Sequence, residues 1–246
     1  MADMKNCRLL ESSELKNYFA EQYPYNEWVK NIIHLKDLPN ADIQSKSQDT
    51  NKLCKAFGYT LEDIHEILRP RAMNGKEPVA SMGADEPLAV LSKAHPPLYA
   101  YFKQRFAQVT NPPIDALREA CKTDCSIYVG DDGVNILILS DLGINKGHLA
   151  IPLLLAVLTL EQHLIHIKKR TAVSVILESG EPRDTHQLAM LIAFGIRAVN
   201  LYLAHNCIKS MFPDTAEKAI KNYDDALTAG VLKIDSKMGV STLQAY

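Results

Sequence analysis

A polar segment that directly follows an apolar strand is the part of this chain best placed for ligand chemistry. Glu178 and Glu181 flank a Ser-Gly pair after the run AVSVIL, and Arg183 and His186 come next. In parallel α/β sheets, ligands bind at the carboxyl ends of the strands. We therefore predict a candidate ligand cluster of Glu178, Glu181, Arg183 and His186. The alternative is a polar loop that caps the following helix through Asp184.

Cysteine and histidine pairs give a weaker pattern. Cys121 and Cys125 are four residues apart, and His163 and His166 are three apart within one predicted helix. A structural zinc site needs four ligands, usually supplied as two close pairs in a recognisable spacing, and this arrangement matches no such fingerprint. We predict no metal site, with a buried thiol and histidines on a solvated helix face.

A serine, an aspartate and a histidine could also suggest nucleophilic catalysis. Ser140 and Asp141 end one apolar strand, and His186 lies further along the chain. A catalytic triad is recognised by geometry, and the chain has no G-x-S-x-G elbow. We predict that Ser140 and Asp141 cap the loop that leaves the strand, and we assign no catalytic residue.

Glycine-containing loops offer one further candidate. No G-x-G-x-x-G motif follows a strand, and the segment 130–133, GDDG, is typical of a turn. Near the end of the sequence, Gly239 in the segment KMGVS would let backbone amides approach a phosphate closely.

The apolar pattern predicts an α/β fold in the C-terminal half of the chain. Strands separated by helices of about ten or more residues imply right-handed β-α-β crossovers and a parallel sheet. The continuous runs VNILIL and AVSVIL predict central strands buried on both faces. We predict strands over 134–139, 172–177 and 197–201, and helices over 151–169, 185–194, 202–211 and 216–229, the last ended by Gly230.

The N-terminal part is predicted to be helical and irregular. A helix over 14–22 would be capped by Ser12 or Ser13, and an exposed linker would span 41–51. Thr60 and Asp63 form a pattern typical of a capping box, and a further helix is predicted over 98–108.

Composition excludes several broad classes of protein. The 246 residues are 47% hydrophobic and 23% charged, with a net charge of −2, which fits a folded chain and favours neither disorder nor nucleic-acid binding. The longest apolar run is too short to span a membrane. Five cysteines are too few and too odd in number for a disulfide scaffold, so we expect a reducing cytoplasm.

Long motifs across most of the chain resemble one family. The segments FGYTLEDIHEILRPR at 57–71 and GKEPVASMGADEPLAVLS at 75–92 are followed by YFKQRFAQVTNPPIDALRE at 101–119. ILSD at 138–141, IPLLLAV at 151–157, SVILESGE at 174–181 and KIDSKMGVSTLQAY at 233–246 then come in order. Together they resemble the central region of the glutamate synthase large chain.

The resemblance implies a connecting role. That family makes glutamate from glutamine and 2-oxoglutarate with a reductant, using an amidotransferase domain, an FMN domain and an iron–sulfur cluster, and its central domain carries no reaction of its own. It implies an amidotransferase-side connector at 1–51, central-domain parts at 52–133 and 134–235, and an entry into the FMN domain at 236–246. It also implies that Met238, Gly239, Val240 and Ser241 contact FMN in the parent enzyme.

One departure from the family concerns the interior of the chain. Asp132, Gly133 and Val134 join two segments that several dozen residues normally separate in the family. The resemblance therefore implies an excised or internally shortened central region. The alternative is a stand-alone α/β protein that binds a small molecule through the cluster around Glu178 and His186.

Overall fold

The computed structural model of the chain describes residues 2–4, 7–30, 32–34, 37–38, 49–79, 88–102, 114–115, 118–119, 123 and 135–243. The chain divides into two compact units, Met1–Ser47 and Gln48–Tyr246. In the first unit, β1 (Ala2–Asp3) and β2 (Arg8–Leu9) pair antiparallel, followed by helices α1 (Ser12–Ala20) and α2 (Tyr25–Lys30).

The first helix exists as predicted, but it spans Ser12–Ala20 in place of 14–22, and its cap differs from the predicted one. Glu11 is the N-cap of α1, where Ser12 or Ser13 had been expected. The Glu14 carboxylate accepts a hydrogen bond from the Glu11 N–H at 3.0 Å, which completes a capping box. Two glutamates therefore satisfy the free amides that a serine was expected to bond.

The second unit begins with short helices. These are α3 (Thr50–Ala56), a π-helix over Asp63–Leu68 and α4 (Arg69–Asn74), followed by 3-10 turns at Ala89–Leu91 and Leu98–Tyr101. Pro70 lacks an N–H and would crowd the carbonyl one turn earlier, which accounts for the widened π-turns directly before it.

Three predictions for this region can be compared with the structure. The capping box of Thr60 and Asp63 is confirmed, because the Asp63 N–H donates to Thr60 Oγ1 at 3.0 Å and the Thr60 N–H donates to Asp63 Oδ2 at 2.8 Å. The linker over 41–51 was drawn too long, since Asp49 caps α3 and 50–51 are helical. The helix over 98–108 begins as a 3-10 turn that ends at Tyr101, and residues 103–108 lie outside the described part.

The C-terminal half forms the predicted parallel α/β fold. Strands β3 (Asn135–Ser140), β4 (Val173–Glu178) and β5 (Ala198–Asn200) pair in the order β3-β4-β5. Helices α5 (Leu153–His166) and α6 (Thr185–Ala193) make the crossovers, and α7 (Tyr202–Met211) and α8 (Ala216–Met238) follow. The prediction of an α/β chain with β-α-β crossovers is confirmed.

The prediction that β3 is central and doubly buried is wrong. The side chains of Ile136 and Ile138 are 53% and 59% exposed, and β3 pairs only with β4 among the described residues. In contrast, Val175 and Leu177 of β4 are fully buried. An apolar run predicts a strand that could be covered on both faces, but it does not show that neighbouring elements cover it.

Gly230 does not end the last helix, as the sequence had predicted. Helix α8 continues to Met238, and Gly239 at φ 77° is its left-handed cap. A Cβ at Gly230 would lie 2.6 Å from Thr185 Oγ1 and 2.7 Å from Glu77 Oε1. Gly230 is therefore explained by the close approach of α8 to these side chains.

Among the described residues of the second unit, buried apolar side chains form two clusters. One joins α3, α4, α7 and α8 around Leu68, Leu203 and Tyr223. The other packs the sheet against α5 and α6 around Leu154 and Val175. Val199 of β5 contacts both clusters, so the helical and sheet parts of this unit share a continuous apolar interior.

Candidate functional site

The carboxyl ends of the three parallel strands bring polar residues to one edge of the sheet. In the register, Ser140 lies beside Glu178, and Glu178 lies beside Asn200. Ser140 Oγ donates to Glu178 Oε2 at 2.8 Å, and Asn200 Nδ2 donates to Glu178 Oε1 at 3.3 Å. Both carboxylate oxygens of Glu178 are therefore engaged by neighbouring strand ends.

Asp141, in the loop that leaves β3, is bonded to the loop after β4. Its carboxylate accepts from the Gly180 N–H at 3.1 Å and from Ser179 Oγ at 2.5 Å. Burial raises the pKa of Asp141, and the hydrogen bond from Ser179 opposes this increase. The prediction that Ser140 and Asp141 cap this loop is confirmed, since Ser140 Oγ also accepts from the Leu142 N–H at 3.3 Å.

Glu181 connects the loop after β4 to helix α5. Its Oε2 accepts from the Leu153 N–H at 2.7 Å, at the amino end of α5, where free amides and the helix dipole favour a negative charge. Burial raises the pKa of Glu181, while this hydrogen bond lowers it. Glu181 thus caps a helix that begins 28 positions earlier in the chain.

Arg183 points away from the edge and into the helical part of the unit. Its Nη2 lies 3.0 Å from Asp63 Oδ2 and donates to the Gly58 carbonyl at 3.0 Å. Its guanidinium also lies 4.4 Å from the centroid of the Tyr59 ring. The side chain is almost fully buried, so these contacts occupy its ion-pairing and stacking surfaces.

The backbone carbonyl of Arg183 is also fixed from two directions. Arg71 Nη1 donates to it at 3.2 Å, and Tyr223 Oη donates to it at 3.0 Å. Arg71 in turn pairs with Glu77 at 2.6 Å, and the hydroxyl of Thr185 donates to Glu77. Side chains from α4, α6 and α8 therefore hold the loop after β4 in one position.

His186 and Asp184 lie at the start of α6. His186 Nε2 is 3.4 Å from the Tyr99 carbonyl oxygen, and Asp184 Oδ1 accepts from the Gln187 N–H at 2.8 Å. The predicted capping role of Asp184 is confirmed. Glu178 and Glu181 lie at the edge, whereas Arg183 is turned inward. Ligand binding by the four-residue cluster stays a prediction.

Other chemistry considered from the sequence has no assembled site among the described residues. Ser140 bonds to Glu178, and no hydrogen bond joins it to His186 in the part of the chain that the structure describes. His163 and His166 are exposed on α5, and Cys121 and Cys125 lie outside the described residues. No group of three or more potential metal ligands occurs within the described ranges.

The predicted FMN contacts lie at the end of α8. The Gly239 N–H donates to the Ser236 carbonyl at 3.2 Å, and the Val240 N–H donates to the Asp235 carbonyl at 2.9 Å. These bonds form a helix C-cap, so the two amides are engaged and do not fit a phosphate in this arrangement. FMN contact by 238–241 stays a prediction about a longer chain.

Several residues that build this region gave no signal of such a role in the sequence. Tyr59, Glu77 and Tyr223 contact the loop after β4 only through tertiary packing. Asp63 was recognised as part of a capping box, but its second role as the partner of Arg183 was not expected. Local spacing can identify a cap, because the partners are close in sequence.

Comparison with known proteins gives a consistent result. Residues 52–133 and 129–246 match the family model of the glutamate synthase central domain. The chain is 34% identical to the glutamate synthase (NADPH) large chain of Bacillus subtilis, over 100% of this chain and 21% of that protein. It is 30% identical to ferredoxin-dependent glutamate synthase 2 of Synechocystis, over 99% of this chain and 22% of that protein.

The alignments also bear on the internal junction. The alignment to the Bacillus subtilis protein extends over 319 residues, whereas this chain has 246. The two matched stretches of the family model meet at 129–133, where the sequence had suggested a shortened segment. The chain spans about a fifth of the length of these relatives. On the family-model match, which covers most of its residues, this chain belongs to the glutamate synthase central domain family.

Proposed function

We propose that this chain is a connecting domain of glutamate synthase and carries no reaction of its own. It would position the amidotransferase and FMN-binding domains of the same polypeptide so that ammonia passes between them. The parent enzyme would make glutamate from glutamine and 2-oxoglutarate with a reductant. FMN and an iron–sulfur cluster would be held by parts of the parent outside this chain, and no cofactor is expected here.

The observation that carries this proposal is the internal use of the polar groups at the sheet edge. Glu178 is engaged by Ser140 and Asn200, and Glu181 caps α5. A catalytic or binding site requires groups that can turn to a substrate, whereas these groups hold strands, loop and helix together. Such cross-linking suits a domain whose task is to keep a fixed shape.

The first experiment measures turnover by the purified chain. We expect no ammonia release from glutamine and no glutamate from 2-oxoglutarate and ammonia with reduced FMN present. A full-length relative such as the Bacillus subtilis enzyme serves as the positive control. Turnover by this chain at a rate above the uncatalysed background would overturn the proposal.

The second experiment measures the size of the native polypeptide. An antibody raised against this chain should detect a band several times larger than 27.4 kDa in extracts of the source cell. A band at 27.4 kDa would contradict the parent-enzyme part of the proposal. The strand-end cluster would then be the first place to search for an independent activity.

FMN provides a separate, inexpensive test. The purified chain should be colourless, and titration with FMN should leave the flavin spectrum unchanged. One loop with engaged amides offers too few contacts to offset the cost of binding. A saturable change in the visible spectrum would show that this chain holds flavin by itself.

A further inference from the structure

A cleft at the amino ends of the parallel strands, opposite the strand-end cluster, has no part in the function proposed above. It has a volume of about 330 Å³ and lies beside the turn before β4 and the connection between α6 and β5. Its charged lining comes from Glu161, Arg170 and Arg197, and its apolar lining includes Ile165, Ile196 and Leu243. Small-molecule sites are commonly of about this size, with few polar groups among apolar side chains.

The Glu161 carboxylate is only half satisfied. The side chain is 8% exposed, and its Oε2 forms an ion pair with Arg170 Nε. Its Oε1 is buried and has no hydrogen-bond partner among the described residues. A buried acceptor without a donor costs free energy, so a donor supplied by a bound molecule would be favourable here.

Arg170 is already bonded to other groups of the protein, which leaves Arg197 as the cation that can contact a ligand. Arg170 Nη2 donates to the Gly195 carbonyl at 3.1 Å, in addition to its ion pair with Glu161. Gly195 has φ 93°, and a Cβ there would lie 3.0 Å from Glu161 Oε1, so a side chain would crowd the carboxylate. The absence of a side chain at Gly195 thus leaves room for Arg170 and the Glu161 carboxylate. Oε1 is closed to solvent, so a ligand donor would reach it through a rotation of the Glu161 side chain.

The Arg197 guanidinium lines the same cleft. It is half-buried, and its charge stabilises the ionised Glu161 carboxylate. The cleft therefore holds two cations, Arg170 and Arg197, against one carboxylate, Glu161. This excess of one positive charge favours an anionic ligand, and a planar guanidinium suits a carboxylate.

We propose that this cleft binds a small carboxylic acid that also carries a hydrogen-bond donor. The carboxylate would pair with Arg197, the donor would bond to Glu161 Oε1, and a short apolar body would lie against Ile196 and Leu243. Amino acids and hydroxy acids share this chemistry. A 2-oxo acid has the carboxylate but lacks the donor.

The test uses three probes with one carbon skeleton. These are L-leucine, 2-hydroxy-4-methylpentanoate and 4-methyl-2-oxopentanoate, each titrated into the isotope-labelled chain while the amide signals of residues 192–197 are followed by NMR. We expect the amino acid, the hydroxy acid or both to bind, and the oxo acid to bind at least roughly ten-fold more weakly. The first two arms identify which donor the cleft prefers.

Two variants provide matched controls. Arg197→Gln should weaken binding of the donor-bearing probes by roughly ten-fold or more, because the charge-assisted contact is lost. Arg69→Gln makes the same chemical change at an exposed position of α4 and should bind like the unchanged chain. Because Arg197 also stabilises the ionised Glu161 carboxylate, we expect the variant to fold with a slightly lower melting temperature.

Three outcomes would overturn the proposal. The oxo acid could bind as tightly as the other probes, Arg197→Gln could bind as tightly as the unchanged chain, or no probe could shift the signals of residues 192–197. The first result would remove the role of Glu161 Oε1, and the second would remove that of Arg197. The third would mean that Glu161 Oε1 accepts hydrogen bonds from water alone. The comparison of probes needs no variant, so it remains decisive even if a variant fails to fold.

Discussion

Arg183 and Asp63 form a buried ion pair, with 3.0 Å between Nη2 and Oδ2, that joins the loop after β4 to the start of the π-helix. Their side chains are 5% and 17% exposed. Breaking such a pair leaves a charge without its partner in a poorly solvated place, which costs more than the pair itself contributes. The contact therefore makes the helical and sheet parts of the second unit dependent on each other.

Substitution Arg183→Met tests this dependence. We expect a loss of about 3–5 kcal/mol in the free energy of unfolding, since Asp63 loses its partner and the Gly58 carbonyl loses a donor. Urea denaturation followed by circular dichroism measures the change. Arg69→Met, at an exposed position, is the control and should stay within about 0.5 kcal/mol of the unchanged chain.

A second substitution separates the ion pair from simple packing. Adding Asp63→Leu to Arg183→Met removes the unpaired charge and should restore part of the lost stability. A loss below about 1 kcal/mol in the single variant, or no recovery in the double variant, would contradict a structural role for the pair.

Asp235 predicts a pH dependence of stability. It is buried in α8, its Oδ2 has no hydrogen-bond partner among the described residues, and burial raises its pKa to about 6. The folded chain therefore takes up a proton at higher pH than the unfolded chain, whose carboxyl titrates near 3.8. The stabilisation from this group is fully present below pH 3.8 and is lost as the pH rises through 6.

Replacement of this carboxyl should remove the effect. At pH 7, Asp235→Asn should raise the free energy of unfolding by about 1–3 kcal/mol, and the advantage should disappear near pH 4. The difference in melting temperature between variant and parent, measured from pH 4 to 8, reports it. Asp225→Asn, on the exposed side of the same helix, is the control, and its difference in melting temperature from the parent should stay constant over this pH range. If the difference in melting temperature for Asp235→Asn did not vary with pH, folding would not change the pKa of the Asp235 carboxyl.

The two apolar strands should respond differently to a buried charge. The sequence predicted that both strands are central and buried on both faces, in which case aspartate at either Ile138 or Val175 would prevent folding. In the structure, Val175 is fully buried in β4, whereas Ile138 is 59% exposed in β3, which pairs only with β4 among the described residues. Val175→Asp should therefore abolish cooperative folding, since it buries an unpaired charge.

Ile138→Asp should fold, with a loss of about 1 kcal/mol or less from the changed strand propensity. It should also reduce self-association, because an uncharged apolar edge strand can pair with another chain. Thermal melts and light scattering at several concentrations measure both effects. Cooperative melting of Val175→Asp, or failure of Ile138→Asp to fold, would contradict the strand order.

The strand-end cluster predicts a ligand effect that can be tested directly. If Glu181 and His186 bind a small molecule, a ligand found in a thermal-shift screen should stabilise the parent chain but not a variant in which both are alanine. Ser241→Ala, outside the cluster, is the control. We expect no ligand whose thermal shift is lost in the double-alanine variant, since Glu181 is used as a helix cap.

The sequence was sufficient to predict contacts whose partner residues are close along the chain. The Thr60–Asp63 box, the Asp184 cap and the limits of α7 follow from local spacing, and all are present. The parallel order also followed, because strands separated by helices can pair in few ways. Local hydrogen bonds and topology thus account for the part of the fold that could be predicted.

What could not be predicted depends on neighbours distant in sequence. Ile138 has the composition of a buried strand residue, but its exposure depends on which elements lie beside β3. Arg183 looked like a ligand contact, yet Asp63 and Tyr59 occupy it. Gly230 resembled a helix end, yet it accommodates Glu77 and Thr185. In each case tertiary packing determines the role of the residue.

Helix α8 is long enough to connect distant regions mechanically. Its 23 residues extend over about 34 Å, from Ala216 to Met238. Tyr223 bonds to the Arg183 carbonyl near one end, and Gly239 caps the other. The part from Tyr223 to Gly239 is about 24 Å long, so a tilt of one degree at Tyr223 displaces Gly239 by about 0.4 Å. Small rotations at the loop after β4 would thus be converted into translation at the far end of the helix.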